Sequence, residues 1–225
     1  MKPSTIVLRL GGPPGSGKST VADSFATGRL RRVLRWESQA DEGDGNPHQR
    51  TRGIRLVDFI DDKSGNIVII DLGGQGIYFM THQALIAVEG APVINAIVVS
   101  SLRNLEQLQL DASEWAGFFA CQVCPGSARQ PLLFFSTRAD RATLQQKTAV
   151  MRVFDKIKTD YSSYFTFPCQ PFLLDARKSR SAVIQKLRNE IHNLQQEVLN
   201  VSVKIRSSTG PLVSSKYKCA CRDNK

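Results

Sequence analysis

The chain has 225 residues, of which 41% are apolar, and a formal net charge of +10. This size suits one domain with one substantial core, and the apolar runs are far shorter than the roughly 20 residues that cross a bilayer, so neither a second core nor a transmembrane helix is expected. Its five cysteines are an odd number in a chain that needs no disulfide framework, which predicts reduced thiols. Because no secretory signal pattern surrounds Lys2 and Arg9, a cytoplasmic location is expected.

The positive charge is concentrated near the end of the chain. Residues 198–225 contain six basic side chains and one acidic one, so they carry +5 of the net +10. The rest of the chain is only mildly basic and has neither an aromatic-studded basic motif nor zinc-finger spacing, so no specific nucleic-acid partner is expected. The composition favours one folded domain over residues 1–200 and a basic, flexible tail over residues 201–225.

The first part of the chain predicts a strand over 4–10 and a helix over 18–27, separated by a cluster of glycine and proline. The stretch 28–53 lacks a sustained apolar period and is predicted as a long loop, with a helical start as an alternative. Two further strands, 54–60 and 67–71, are joined by a turn-rich hexapeptide that suits an antiparallel hairpin.

The second part of the chain alternates strands and helices. Strands are predicted over 93–100, 132–136 and 172–174, and helices over 82–88, from Leu102 toward Trp115, over 144–161 and over 184–198. This order predicts an α/β domain in which a mostly parallel sheet has one antiparallel edge strand and helices on both faces.

The first chemical motif lies between the first strand and the first helix. Residues 12–19 read Gly-Pro-Pro-Gly-Ser-Gly-Lys-Ser and match the phosphate loop of P-loop NTPases, in which backbone N–H groups converge on phosphates. The Lys18 ammonium reaches the outer phosphates, and the Ser19 hydroxyl can ligate magnesium. The predicted phosphate-binding residues are Gly12, Gly15, Ser16, Gly17, Lys18, Ser19 and Thr20. The loop alone does not separate GTPases from ATPases or small kinases.

A second motif follows the strand 67–70, which ends in Asp71-Leu-Gly-Gly-Gln75. The Asp71 carboxylate can hold magnesium through water, the Gly74 N–H can meet a terminal phosphate, and Gln75 can orient an attacking water. This spacing is typical of GTPases. The alternative is a strand that ends in an ordinary Asp-Gly turn.

A third motif, Thr137-Arg138-Ala-Asp140, follows a buried strand and predicts the base site. A carboxylate at Asp140 accepts two hydrogen bonds from the ring N–H and amino group of guanine, whereas adenine offers no such pair of donors. Thr137 stands where small GTPases usually have asparagine. The alternative reading of Asp140 is a helix N-cap.

These motifs occur together with Thr51-Arg-Gly-Ile54, with the stretch from Tyr78 to Gln83, and with Leu174-Asp-Ala-Arg177. In this combination the chain resembles the Roc (Ras of complex proteins) GTPase domain of Roco proteins, such as leucine-rich repeat kinases and death-associated protein kinase, over about residues 4–199. The most specific parts of the resemblance are Thr81-His-Gln83 and the Thr-x-x-Asp base motif.

The resemblance implies a GTP-binding switch domain that uses Mg²⁺ and hydrolyses GTP to GDP and phosphate. It implies that Thr51 ligates magnesium and senses the terminal phosphate, and that the Ala176 N–H faces the guanine carbonyl beside Arg177. The implied catalytic residues are Lys18, Thr51 and Gln75, and the implied metal ligands are Ser19, Thr51 and Asp71.

The resemblance also bears on partners. Roco proteins normally carry a COR dimerisation domain after the Roc domain, and only a short tail follows here, so the chain is expected to be a piece of a multidomain signalling protein or a shortened relative. Its expected partners are flanking domains, other proteins or a second copy of the chain.

Two other classes of function stay open from the residues themselves. A nucleotide or small-metabolite kinase would use the same phosphate loop, with a basic lid and an acceptor pocket in addition. A module that binds nucleotide without hydrolysing it would serve to organise a larger protein.

Overall fold

The computed structural model describes residues 5–26, 31–36, 54–61, 65–74, 92–123 and 127–208. The strands are β1 (Ile6–Gly11), β2 (Arg31–Trp36), β3 (Ile54–Asp61), β4 (Gly65–Leu72), β5 (Val93–Ser100), β6 (Gln130–Thr137), β7 (Phe165–Thr166) and β8 (Phe172–Leu174). The helices are α1 (Lys18–Ala26), α2 (Leu105–Ala120), α3 (Leu144–Asp160) and α4 (Ala182–Ser208). The helix predicted over 82–88 lies outside the described residues.

The strands form one sheet in the order β2-β3-β4-β1-β5-β6-β7, and β8 also pairs with β6. Strand β1 is parallel to both of its neighbours, β4 and β5, and the pairs that β6 forms are parallel as well. Strand β3 is antiparallel to β4 on one side and to β2 on the other. The predicted mostly parallel sheet is therefore confirmed, and its antiparallel strand lies one place inside the edge.

Strand β2 corrects one prediction, because the sequence indicated a loop over 28–53 and residues 31–36 form a strand. This segment reads Arg-Arg-Val-Leu-Arg-Trp, so arginine occupies half of its positions. A strand at the edge of a sheet tolerates charged residues that a central strand does not, and its apolar signal is weak for that reason.

Helices cover both faces of the sheet, as predicted. On one face, α1 and α4 pack on alternate strand residues in a core that includes Leu8, Phe25 and Leu187. On the other face, α2 and α3 form a second core, in which Trp115 and Phe154 are buried. The alternation of side chains along β1 divides the two cores, because Leu8 points into the first and Val7 into the second.

Helix α4 is longer than the sequence indicated. It continues through Ser208, so the expectation of little fixed structure directly after residue 200 is wrong for residues 201–208. The rest of the predicted tail lies outside the described residues, and the division of the chain at residue 200 stays a prediction. Within the described ranges, no helix is long and apolar enough to cross a membrane.

Trp115 lies buried in the second core, and its ring centroid is 5.4 Å from that of Phe118 and 6.0 Å from that of Phe119. Replacing Trp115 by alanine is expected to lower the free energy of unfolding by about 3 to 5 kcal/mol, because the substitution leaves a large cavity. Urea denaturation measures the change. Leu144→Ala is the control, since that side chain is 80% exposed and its loss should cost less than about 0.5 kcal/mol.

Candidate functional site

The phosphate loop connects the end of β1 to the start of α1 in a conformation that requires its glycines. Gly15 and Gly17 have φ angles of 71° and 94°, in the left-handed region that other residues rarely adopt. The Ser16 N–H donates to the Pro13 carbonyl, and the Val21 N–H donates to the Gly17 carbonyl, where α1 begins. The helix therefore starts directly at the loop, and its N-terminus favours a bound anion.

Lys18 lies across this loop. Its ammonium group donates to the carbonyl oxygens of Gly12 and Pro13, at 2.8 and 2.9 Å, and the residue is only 5% exposed. Burial lowers the pKa of Lys18 to about 8, although the nearby Asp71 carboxylate acts in the opposite direction. A buried cation held by neutral carbonyl groups is well placed to neutralise a phosphate.

The two described metal candidates come together beside Lys18. The Ser19 hydroxyl donates to the Asp71 carboxylate over 2.6 Å, and Asp71 is fully buried at the end of β4, next to β1. Hydroxyl and carboxylate oxygens are ligands that Mg²⁺ prefers, so the residues present fit a magnesium ion. The third predicted ligand, Thr51, lies outside the described residues.

Gly74 approaches the phosphate loop so closely that no side chain would fit. A Cβ atom built on it would lie 2.5 Å from both the Pro13 carbonyl carbon and the Pro14 nitrogen. The Asp-x-x-Gly motif therefore brings Gly74 against the loop where phosphates are expected. Gln75, the predicted water-orienting residue, lies outside the described residues, and its role stays a prediction.

A pocket of about 440 Å³ opens beside the loop. It is formed by the start of α1 and by the two loops that follow β6 and β8. Its lining comprises Gly17, Thr20, Thr137, Arg138, Asp140, Arg141, Asp175, Ala176 and Arg177. The Ala139 N–H donates to the Leu174 carbonyl over 3.1 Å, which ties the two loops together. Every predicted base-binding residue is thus found at this one pocket.

The third motif, residues 137–140, forms hydrogen bonds to the phosphate loop and also lines the pocket. The Thr137 hydroxyl donates to the Ser16 carbonyl at 2.6 Å, and the Arg138 guanidinium donates to the Gly15 carbonyl at 3.1 Å. Arg138 also has a φ angle of 58°, which is unusual for a residue other than glycine. The turn after β6 therefore combines a contact with the phosphate loop and a contact with the pocket.

A chain of charged side chains orients Asp140. The Arg177 guanidinium donates to the carboxylates of Asp140 and Asp175, at 3.2 and 3.3 Å. Burial acts to raise the pKa of Asp175, but the backbone N–H and guanidinium of Arg177, with the Lys178 ammonium, outweigh it and lower that pKa. Asp175 is thus an anion that positions Arg177, which in turn holds Asp140 at the pocket.

Sequence reasoning missed two residues next to the metal candidates. Arg55 on β3 is the register partner of Asp71, and its guanidinium forms a bidentate ion pair with Asp23 of α1, at 2.6 and 3.3 Å. In the sequence, the signal for this role was an arginine within a strand that is otherwise mostly apolar. The contact itself depends on the register of β3 and β4, which the sequence pattern does not reveal.

No protein-family model and no curated protein sequence matches the chain. The Arl6 BBS3 small GTPase from Trypanosoma brucei, solved with the nucleotide analogue GppNp, has a TM-score of 0.57 at 18% identity and covers 85% of this chain and 99% of that one. The mammalian SRP receptor gives 0.54 at 16% identity, over 84% of this chain and 99% of that one. The bacterial selenocysteine-specific elongation factor EF-Sec gives 0.59 at 14% identity, over 86% of this chain and 29% of that one. The likeness shows the fold, which is that of the P-loop GTPases.

The buried position of Lys18 predicts a pH dependence of nucleotide affinity. Phosphate binds the ammonium form of Lys18. Because Lys18 in the free chain loses its proton above a pH of about 8, binding of a nucleotide above that pH must be accompanied by uptake of a proton by Lys18. The affinity for GDP is expected to be about tenfold weaker at pH 9 than at pH 7, as measured by titration calorimetry. Lys18→Arg is the matched control, because its cation does not titrate in this range and any remaining slope belongs to the nucleotide. Equal slopes for both proteins would contradict the assignment.

Proposed function

We propose that the chain is a GTP-binding domain that hydrolyses GTP to GDP and phosphate with Mg²⁺ and acts as a nucleotide-dependent switch. One observation carries the proposal. The turn after β6 presents Asp140 at the pocket while Thr137 and Arg138 hold the phosphate loop through its Ser16 and Gly15 carbonyl groups. These contacts support the proposal, because they connect the proposed base site directly to the proposed phosphate site, as binding of a nucleotide requires.

Guanine selectivity is assigned to Asp140. A carboxylate there accepts hydrogen bonds from the ring N–H and amino group of guanine, and adenine would leave it without these donors. The adjacent peptide N–H of Ala176, whose residue also lines the pocket, would meet the guanine carbonyl oxygen. The two contacts together would reject ATP, because each polar group of the pocket would face a mismatched partner.

Hydrolysis is assigned to the phosphate end of the site. Water attacks the terminal phosphorus, the bond to the bridging oxygen breaks, and GDP and phosphate leave, so the protein supplies mainly position and charge. Lys18 would neutralise the outer phosphate oxygens, Gly74 would donate its N–H to the terminal phosphate, and Gln75 would orient the water. Ser19, Asp71 and Thr51 would hold Mg²⁺, which would supply positive charge that offsets the negative charge of the phosphates.

The setting of the domain is part of the proposal. The motifs favour a Roc-type domain of a cytoplasmic signalling protein, with flanking domains, protein partners or a second copy as its contacts. A small-GTPase-like fold supports the proposed switch.

The test of function is phosphate release from GTP, with no acceptor molecule present. Slow release that requires Mg²⁺ and is lost in Gln75→Leu is expected. Phosphoryl transfer only to an added acceptor would identify a kinase instead. Tight GTP binding without release would identify a non-hydrolysing module.

Base selectivity has its own test in Asp140→Ala. Loss of the charge-assisted pair is expected to weaken GDP and GTP by about tenfold or more, because the base donors lose their acceptor. Asp155→Ala removes an exposed carboxylate on α3 that does not line the pocket, and it should leave both affinities unchanged. Equal affinity of the wild type for ATP and GTP would overturn the guanine assignment.

A further inference from the structure

We propose that Ser24 is a positioning residue for the base loop, residues 175–177, and that α1 thereby fixes the distance between the base and phosphate halves of the site. The inference rests on the proposed function, since it assigns a role in guanine nucleotide binding. Ser24 lies in the last part of α1 and belongs to none of the sequence motifs.

The central contact joins residues far apart in the chain. The Ser24 hydroxyl donates to the Ala176 carbonyl, and both residues are buried. The other end of the same peptide is also held, because the Arg177 N–H donates to the Asp175 carboxylate at 3.2 Å. The peptide between Ala176 and Arg177 is thus fixed at its oxygen and at its nitrogen.

Ser24 is itself held from the opposite side by helix α4. The Arg188 guanidinium donates to the Ser24 carbonyl at 2.8 Å and to the Phe25 carbonyl at 3.2 Å. These are among the last carbonyl groups of α1, which have no partner within their own helix. Arg188 therefore fixes the end of α1, and the Ser24 hydroxyl carries that fixed position to the base loop.

The start of the same helix carries two of the residues proposed to contact phosphate and its magnesium ion. Lys18 and Ser19 open α1, and Ser24 follows Lys18 by six residues, which is about 9 Å along the helix axis. Val21 and Phe25 anchor α1 in the first core. One rigid helix consequently sets where the Ala176 N–H lies relative to the phosphates.

Loss of the Ser24 hydroxyl is expected to weaken binding of the base and to leave binding of the phosphates unchanged. Without the Ser24 hydroxyl the Ala176 carbonyl loses its donor, and the base loop samples other conformations before the nucleotide binds. A nucleotide must then order the loop, which lowers affinity. The proposed contacts of Lys18 and Ser19 with phosphate do not depend on this hydrogen bond. The affinity for a phosphate ligand without a base should therefore not change.

The test compares Ser24→Ala with the wild type, using release of a fluorescent GDP analogue and calorimetric binding of pyrophosphate. Release of the GDP analogue is expected to be about five- to tenfold faster, which corresponds to one lost hydrogen bond. Pyrophosphate affinity is expected to change less than about twofold, and the preference for GDP over ADP should fall. The control is Thr148→Ala, which removes a hydroxyl that donates to the Leu144 carbonyl on α3.

The outcomes separate this inference from the function on which it rests. Wild-type protein that binds no GDP would overturn both. Wild-type binding with unchanged release in Ser24→Ala would overturn the positioning role alone. An equal loss for GDP and pyrophosphate would also overturn it, because it would indicate general loosening of the domain. If Ser24→Ala does not fold, Ser24→Cys is the second variant, because a thiol is a much weaker donor than a hydroxyl; it should give the same split between GDP and pyrophosphate.

Discussion

The hydrogen bond from the Thr137 hydroxyl to the Ser16 carbonyl joins two parts of the site that are 121 residues apart in the chain. It is buried and 2.6 Å long, and the same hydroxyl also lies 3.3 Å from the Val99 carbonyl on β5. Gly17 leaves room for this approach, because a Cβ atom there would lie 3.2 Å from the Thr137 side chain, closer than an ordinary van der Waals contact. The relation between the phosphate loop and the pocket follows from this contact.

Charges around the metal candidates alternate in sign and are partly removed from water. Asp71 lies between the Lys18 ammonium and its register partner Arg55, and Arg55 pairs in turn with Asp23. The Arg55–Asp23 pair is only partly buried, since the Asp23 side chain is 46% exposed, and such a pair contributes little to folding because water screens it. The value of these contacts is geometric, because Arg55 joins β3 to α1 while Asp71 joins β4 to the same helix through Ser19. Two strands and a helix are thereby fixed around one carboxylate.

The parts of the site that the sequence predicted are those whose residues lie close together in the chain. The phosphate loop, the Asp71 motif and the Asp140 motif each occupy a few residues at the end of a strand, so topology alone brings them together at one edge of the sheet. Ser24 and Arg55 were missed because their roles depend on contacts across the fold and on strand register. The edge strand β2 was missed because three arginines obscure its pattern. Helix α4 was predicted too short because the three- and four-residue spacing of its apolar residues was followed only to Val198, after which Val201, Val203 and Ile205 alternate with polar residues.

The depressed pKa of Lys18 connects folding to the proposed function. An unfolded lysine keeps its proton up to about 10.5, whereas the folded residue loses it near 8, so between these values the unfolded chain binds more protons. Stability contributed by this residue therefore rises as the pH increases through that window, and below it the buried ammonium lowers the free energy of unfolding. A phosphate bound at the loop would reverse the effect of the ammonium on the free energy of unfolding, because it stabilises the same ammonium by direct charge neutralisation. Burial of the Lys18 ammonium is unfavourable in the free chain, and an anionic ligand at the phosphate loop would offset that cost.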